Sequence, residues 1–293
     1  MHHESKQAMS GEPCVGGTLY VVATPIGNLG DITLRALEIL RGVDVVAAED
    51  TRDSARLLNH YGIAAKMLAL HEHNEQHAGE KILGLLAAGQ SVALISDAGT
   101  PAISDPGAHL VAAAHSAGFR VTPLPGANAA ITALCAAGLP ERHFLFWGFL
   151  AHGAAQRRHE LETLKDAPHL LVFYESPHRI LACIDDLQQV LGARRRITFA
   201  RELTKLYETL HTCTLEQARP WLEADANRQR GEFVLLVSGA EALPQEGVGA
   251  QGRHTLEVLL AELPLKQAVK LAAAVSGEKK NALYELALAL KGD

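Results

Sequence analysis

Two hydrophobic periods alternate along this chain. Short apolar runs at 19–23 (LYVVA), 43–48 (VDVVAA), 66–70 (KMLAL), 91–96 and 119–124 (FRVTPL) predict strands. Between them lie stretches whose apolar residues return every three or four positions, which predict helices near 33–41, 52–60, up to about Ala88, 107–117 and 128–137. Such βαβα alternation implies a mainly parallel sheet covered on both faces. The pattern breaks around Gly138-Leu139-Pro140, and a second set of strand-like runs follows at 144–150, 169–174, 196–200, 206–214 and 231–239. The close spacing from Arg196 to Thr214 suits a hairpin, so this second sheet is expected to be mixed.

A stretch rich in Gly, Pro and Glu then reads as a linker. Beyond it three stripes repeat as i, i+3, i+4, i+7: Leu256, Leu259, Leu260, Leu263; Ala268, Leu271, Ala272, Val275; and Leu283, Leu286, Ala287, Leu290. With Pro264 and Ser276-Gly277 between them, they predict three short helices resembling a helix-turn-helix. The expected organisation is a disordered leader over 1–17, an α/β domain over 18–140, a second over 141–240, a linker over 241–253 and a helical module over 254–293.

Composition narrows the class. Hydrophobic residues make up 48% of the 293, yet no apolar run approaches the ~18 residues of a membrane span. The first seventeen residues lack the apolar core of a signal peptide, so a cytoplasmic protein is expected. Cys14, Cys135, Cys183 and Cys213 stand far apart with no CxxC, which indicates neither a disulfide framework nor a thiolate zinc site. A net charge of −6 and a pI of 6.2 argue against a general nucleic-acid binder. Basic residues cluster locally all the same: Arg157 and Arg158, Arg194 to Arg196, Arg201 and Lys205, and Lys266, Lys270, Lys279 and Lys280. Each cluster suits either phosphate or a solvated face.

The candidate chemistry sits where strands end. The fourth strand empties into Asp97, Gly99, Thr100, Pro101, Ser104, Asp105, Pro106 and Gly107, a loop stiffened by glycine and proline beyond a carboxyl strand end, where open α/β sheets bind ligands. Its carboxylates and hydroxyls suit sugar hydroxyls or an ammonium group. The first strand ends in TPIGNLGD (24–31), whose Gly27 and Gly30 are spaced wrongly for a dinucleotide fingerprint, and no GxxxxGK[ST] is present. A third loop, PLPGANA (123–129), opens a helix of small residues. Asp50 or Thr51 is placed to cap the second helix. His71 to His77 is the one metal-like cluster, but it is not HExxH and has no partner motif, so no metal is expected.

TPIGNLGDIT (24–33), AAEDTR (47–52), HEHNE (71–75), SDAGTPAISDPG (96–107), PGANAA (125–130), FYESPHR (173–179) and RELTKLYE (201–208) together resemble one family, the bacterial 16S rRNA (cytidine-2′-O)-methyltransferases of the tetrapyrrole methylase superfamily. The likeness runs in order through 18–239 and into the tail. It implies two α/β domains with a cofactor cleft between them and a helical tail, in a homodimer. It also implies S-adenosylmethionine-dependent methylation of the ribose 2′-hydroxyl of cytidine 1402, in the decoding region of 16S rRNA in the small ribosomal subunit. Carried onto matching positions, the cofactor contacts fall on Pro25, Asp97, Gly99, Thr100, Ser104, Asn128 and Ala129, with Tyr174, Glu175, Glu232 and Phe233 closing the pocket. One departure is visible. Gly148-Phe149-Leu150 is followed by Ala151-His152-Gly153 rather than by Pro and a basic pair, so no role is carried onto that loop, and Arg157 and Arg158 stand nearby as substitutes.

A ribose hydroxyl attacking a sulfonium needs above all an in-line arrangement of oxygen, methyl and sulfur. Glu49, Asp50, His71 and Glu72 are the candidates for a base, with Arg52, Arg201 and Lys205 as phosphate anchors. Lys266, Lys270, Lys279 and Lys280 are expected to face RNA from the tail. Two alternatives stay open: a tetrapyrrole C-methyltransferase, which would need no such tail, and a non-catalytic RNA-binding protein.

Overall fold

The computed structural model describes residues 14–71, 73–240 and 248–291. The chain divides into two compact units that meet between Ala240 and Glu241.

The first unit holds two five-stranded sheets. In the first, β1 (Thr18–Val22), β2 (Val45–Ala48), β3 (Met67–Ala69), β4 (Val92–Ile95) and β5 (Arg120–Leu124) are all parallel, in the order β3-β2-β4-β1-β5. Every residue of β2 (VVAA) and β4 (VALI) is buried, as central strands of a sheet covered on both faces require. Pro123 has no N–H for a ladder and lies in β5, an edge strand, where the loss is tolerated. Helices α1 (Leu34–Gly42), α2 (Thr51–His60), α3 (Glu75–Ala87), α4 (Ala108–Ser116) and α5 (Ala129–Ala136) make the connections. Their starts are chemically marked: Thr33, Asp50 and Asn128 accept the N–H of Ala36, Arg52 and Ile131.

The second sheet contains β6 (Phe144–Phe149), β7 (Leu170–Glu175), β8 (Arg196–Arg201), β9 (Thr209–Thr214) and β10 (Phe233–Val237), in the order β6-β7-β10-β8-β9. It is mixed: β6 and β7 are parallel, β10 is antiparallel to β7 and β8, and β8 and β9 form the expected hairpin. The run expected as a strand from 206 begins only at Thr209, because 202–208 form a loop. Helices α6 (Ala154–Leu164), α7 (Ile180–Leu191) and α8 (Leu215–Glu223) pack with this sheet. An apolar layer joins the two sheets, with Ala130 and Ala133 of α5 against Leu170, Val172, Val234 and Leu236. The small side chains of α5 permit that close approach.

Residues 14–17, expected within a disordered leader, are anchored. Val15 N–H donates to the Tyr20 hydroxyl and Gly17 N–H to the Gln90 carbonyl. Residues 1–13 lie outside the described residues.

The second unit is three helices, α9 (Ala250–Glu262), α10 (Leu265–Ser276) and α11 (Lys280–Lys291). Residues 250–253, expected in the linker, are helical, and 241–247 lie outside the described residues. The core is Leu256, Ala268, Val269, Ala272, Leu283 and Ala287. The middle stripe is therefore rotated from its expected face. Val269 points inward, while Leu271 and Val275 are 45% and 72% exposed. Alanines at 268 and 272 bring the helices close, and the larger side chains fall on the flank. No described helix is long and apolar enough to cross a membrane.

Candidate functional site

The carboxyl ends of β1, β4 and β5 and one end of the second sheet enclose a cleft of ≈ 440 Å³. Backbone bonds stitch its floor. Thr24 and Gly99 exchange both hydrogen bonds (2.8 and 3.1 Å), and the Thr24 hydroxyl donates to the Ser96 carbonyl at 3.1 Å. Thr100 Oγ1 donates to the Ala127 carbonyl (3.1 Å) and accepts from Asn128 Nδ2 (3.3 Å), tying the β4 loop to the β5 loop. Ala102 and Ser104 are held at φ 67° and 61°, in the left-handed region, a strain that persists only where the surroundings impose it. The far end of the loop is held from α3: Glu75 Oε1 accepts the N–H of Gly107 (2.9 Å) and His109 (3.2 Å) at the start of α4. Across the cleft, β6 bulges around Trp147, and a Cβ on Gly148 (φ 81°) would lie 2.7 Å from Ser104 Oγ.

Of the eleven residues expected to contact the cofactor, Asp97, Gly99, Thr100, Ser104, Asn128, Ala129, Tyr174, Glu175, Glu232 and Phe233 line this cleft, and Pro25 does not, its neighbour Ile26 lining it instead. The Tyr174 hydroxyl accepts the Ala130 N–H at the start of α5 (3.3 Å), and the Phe146 and Phe149 rings pack edge-on against it. Burial, and secondarily the Asp105 charge, pushes the Tyr174 phenol above its ordinary pKa. Glu175 is buried. Its Oε1 accepts the Ser176 N–H (2.7 Å) and faces Arg179 Nε (3.2 Å). Among the described residues its Oε2 has no N–H or O–H partner. Burial, and then the Glu175 charge, pushes the Cys183 thiol well above the ordinary value.

The cleft also contains residues that the sequence motifs did not single out as cofactor contacts: Asp105, Ile103, Phe149 and Leu203. Burial raises the Asp105 carboxyl above the usual range, and nearby Asp97 adds to the effect, while a hydrogen bond with Ser96 opposes it. The signal was present in the second Asp of SDAGTPAISDPG.

The four candidate bases and Arg52, grouped with them as a catalytic candidate, separate. Glu49 lines the cleft. Asp50 is occupied elsewhere, capping α2 and pairing with Arg52 (2.6 Å), whose hydrogen bonds hold the Asp50 carboxyl well below the usual range. Arg52 is exposed, and neither residue lines the cleft. His71 follows β3 outside the cleft lining, with its Nδ1 buried and, among the described residues, without a hydrogen-bond partner. Glu72 lies outside the described residues. Among the described residues no group of three or more His, Cys, Asp or Glu could hold a metal ion.

Three arginines of the basic clusters, Arg201 among them the one expected at RNA, have partners within the fold. Arg201 is buried, and its guanidinium spends three of its five N–H groups on the carbonyls of Arg230 (2.6 Å), Asn227 (2.7 Å) and Tyr207 (3.2 Å). Arg157 forms a buried pair with Asp186 (2.6 Å) and also donates to the carbonyl of His152 (3.2 Å), so it cannot stand in for the missing basic pair. Arg158 meets the other Asp186 oxygen at 2.9 Å. Lys205 reaches Glu202 (2.8 Å) and Glu232 (2.7 Å); burial works against its charge, but the two carboxylates hold it above the ordinary lysine value. Lys266, Lys270, Lys279 and Lys280 are exposed on the second unit.

Residues 18–219 match the model of the Tetrapyrrole (Corrin/Porphyrin) Methylases, and 246–291 match that of the RsmI C-terminal HTH domain. The chain is 52% identical to "Ribosomal RNA small subunit methyltransferase I" of Pseudomonas aeruginosa over 94% of its own length and 98% of that protein. It is 46% identical to the protein of the same name from Vibrio cholerae over 99% of each. Among solved structures it resembles a cobalt precorrin-4 methyltransferase (TM-score 0.58, 17% identity, 76% of this chain and 95% of that one) and the uroporphyrin-III-C-methyltransferase of Thermus thermophilus (TM-score 0.55, 19%, 76% and 94%), which is a likeness of fold. The fold, both family models and these near full-length relatives agree: the chain belongs to the ribosomal RNA small subunit methyltransferase I family of the tetrapyrrole methylases.

Proposed function

We propose that this enzyme transfers a methyl group from S-adenosylmethionine to a ribose 2′-hydroxyl of 16S rRNA, that of cytidine 1402, within the small ribosomal subunit. The carrying observation is the full-length likeness to proteins named for ribosomal RNA, which extends through the C-terminal helices. The cleft residues fit the cofactor. Asp97 and Asp105 supply negative charge for an ammonium group, and Ile103, Phe149 and Leu203 exclude water around a sulfonium. When bound, S-adenosylmethionine supplies the electrophilic methyl group.

The remaining work is positional. The strained β4 loop and the cap of α5 present backbone and side-chain groups that Glu75, Thr24 and Thr100 already hold in place, so little reorganisation accompanies binding. Asp97, Gly99, Thr100, Ser104, Asn128, Ala129, Tyr174, Glu175, Glu232 and Phe233 form the cofactor-binding wall. Among the described residues Glu49 is the candidate base that lines the cleft, and it acts on a substrate hydroxyl entering it. The lysines of the second unit bind RNA phosphates. The working species is a homodimer: β6 is a sheet edge with Phe144, Leu145, Trp147 and Phe149 exposed, a surface that a second copy would cover.

The test is incubation with methyl-labelled S-adenosylmethionine and small subunits isolated from cells lacking the modification, followed by mapping of the labelled nucleotide by mass spectrometry. Label on that cytidine ribose is expected. Label on a base, or transfer to a tetrapyrrole and not to RNA, would refute the assignment.

A further inference from the structure

The loop 202–208 between β8 and β9 carries two side chains that the fold does not use. Leu206 is 88% exposed and Tyr207 67%, side by side at its tip. Exposed apolar residues on loops are usually mobile, but this loop is strapped down on all sides. Glu202 and Thr204 are held at φ 50° and 66°. Lys205 N–H donates to the Glu202 carbonyl, Glu208 N–H to that of Lys205, and Thr204 N–H to the Glu208 carboxylate. Arg201 grips the Tyr207 carbonyl from below, and the Lys205 stem lies against Gly27 of the β1 loop, where a Cβ would come within 2.5 Å of Lys205 Cγ. The tip is thus presented rigidly.

Its placement says for what. In the second sheet Glu175, Phe233, Arg201 and Thr209 are in register, so the loop leaves the sheet end that lines the cleft, and Leu203 and Glu232 belong both to the cleft lining and to the loop or its ties. The local charge disfavours phosphate as the group bound at the tip itself, since Lys205 is neutralised by two carboxylates and Glu208 adds another. The exposed edge strand β6 lies three inter-strand spacings away, roughly 14 Å, so the tip is not part of that apolar edge. Two side chains are too small for a stable protein interface, which takes about 800 Å² per partner. They suit one flat, apolar face of the size of a nucleobase.

We propose that Leu206 and Tyr207 form a platform for a nucleobase of the substrate RNA, Tyr207 stacking on it while Leu206 fills the gap left by its unstacked neighbour, so that the target ribose is fixed over the cleft. This rests on the RNA-methylation reading. Stacking on an aromatic ring is how single-stranded RNA is commonly held, and a reacting nucleotide must leave its stack to enter a cleft.

The experiment compares the wild type with Tyr207→Ala, Leu206→Ala and Tyr207→Phe on small subunits lacking the modification. Calorimetry measures S-adenosylmethionine affinity, and sedimentation measures oligomeric state. Tyr207→Ala is expected to lower kcat/KM roughly 5- to 150-fold, the range of one base stack removed, and Leu206→Ala to lower it less. Tyr207→Phe, which keeps the ring, should stay within about twofold, and no variant should alter cofactor affinity or oligomeric state. Wild-type kcat/KM in both alanine variants would overturn the platform alone and leave the RNA reading standing. So would a loss accompanied by dissociation, which makes a second copy the occupant, or by an equal loss of cofactor affinity, which makes the tip part of the cleft wall. Absence of RNA methylation by the wild type would overturn the parent reading, and the platform with it.

Discussion

Asp97 and Asp105 are two carboxylates of one loop with different tasks. Asp97 Oδ1 accepts the Asp50 N–H at 3.0 Å, so it joins the β4 loop to the β2 loop as well as facing the cleft. An amide at 97 retains that acceptor, removes the charge and replaces the other carboxylate oxygen by an N–H donor. Asp97→Asn is therefore expected to leave folding intact and to weaken S-adenosylmethionine binding by about 1.5–3 kcal/mol, one to two orders of magnitude in Kd, read by titration calorimetry. Unchanged affinity would move the cationic end of the ligand elsewhere. Asp105 has a raised pKa from burial, so the native state holds its proton more tightly than the unfolded chain does. Its contribution is favourable below the ordinary carboxylate pKa and is lost as pH rises through the native value. Asp105→Asn should accordingly be more stable than the wild type in urea at about pH 7, with the advantage shrinking as pH falls toward about 4. A pH-independent difference would show that the carboxyl is not desolvated.

The loop after β6 shows how an element is positioned by groups far from it in sequence. Arg179 donates to the Leu150 and Ala151 carbonyls, Arg157 to that of His152, and Glu160 accepts the Ala151 N–H. These contacts seat Phe149 at the cleft. Arg157→Leu would leave Asp186, itself buried, with the half-exposed Arg158 as its remaining partner, and should destabilise the fold by about 3–5 kcal/mol in urea denaturation. If the residue were instead an RNA anchor, the substitution would spare stability and flatten the salt dependence of substrate binding. Replacing both Arg157 and Asp186 by apolar residues should recover most of the loss, because no lone charge is then left buried.

The cleft is contained in the first of the two compact units. Deletion of residues 248–293 is expected to preserve S-adenosylmethionine affinity and to raise KM for small subunits. Lys279 and Lys280 stand at the start of α11, where the helix dipole disfavours cations by ~0.3–1 kcal/mol, a placement that an RNA phosphate would offset. Substituting Lys266, Lys270, Lys279 and Lys280 by alanine should reduce the slope of log K against log salt by about 0.7–0.9 for each phosphate that is no longer neutralised. An unchanged slope and unchanged KM would make the helices a passive cap.

What could be read from the chain alone was whatever is encoded locally. Period-2 and period-3.6 patterns placed the strands and helices, cap residues marked helix starts, and the loops rich in Gly, Pro and Asp beyond β1, β4 and β5 marked the cleft. What local sequence does not encode is which charged groups are already spent on partners. Arg157 meets Asp186 across 29 positions, and Arg201 meets the Arg230 carbonyl across 29, partners that local sequence does not reveal. Asp50 likewise reads as a base or a cap until the cleft lining is known. The inward face of α10 was decided by the neighbouring helices, which take Val269 and leave Leu271 and Val275 outside. A hydrophobic stripe specifies a helix but only loosely which of its flanks is buried. Tertiary packing alone brings remote donors, acceptors and apolar surfaces together, and it thereby decides which side chains remain free to act.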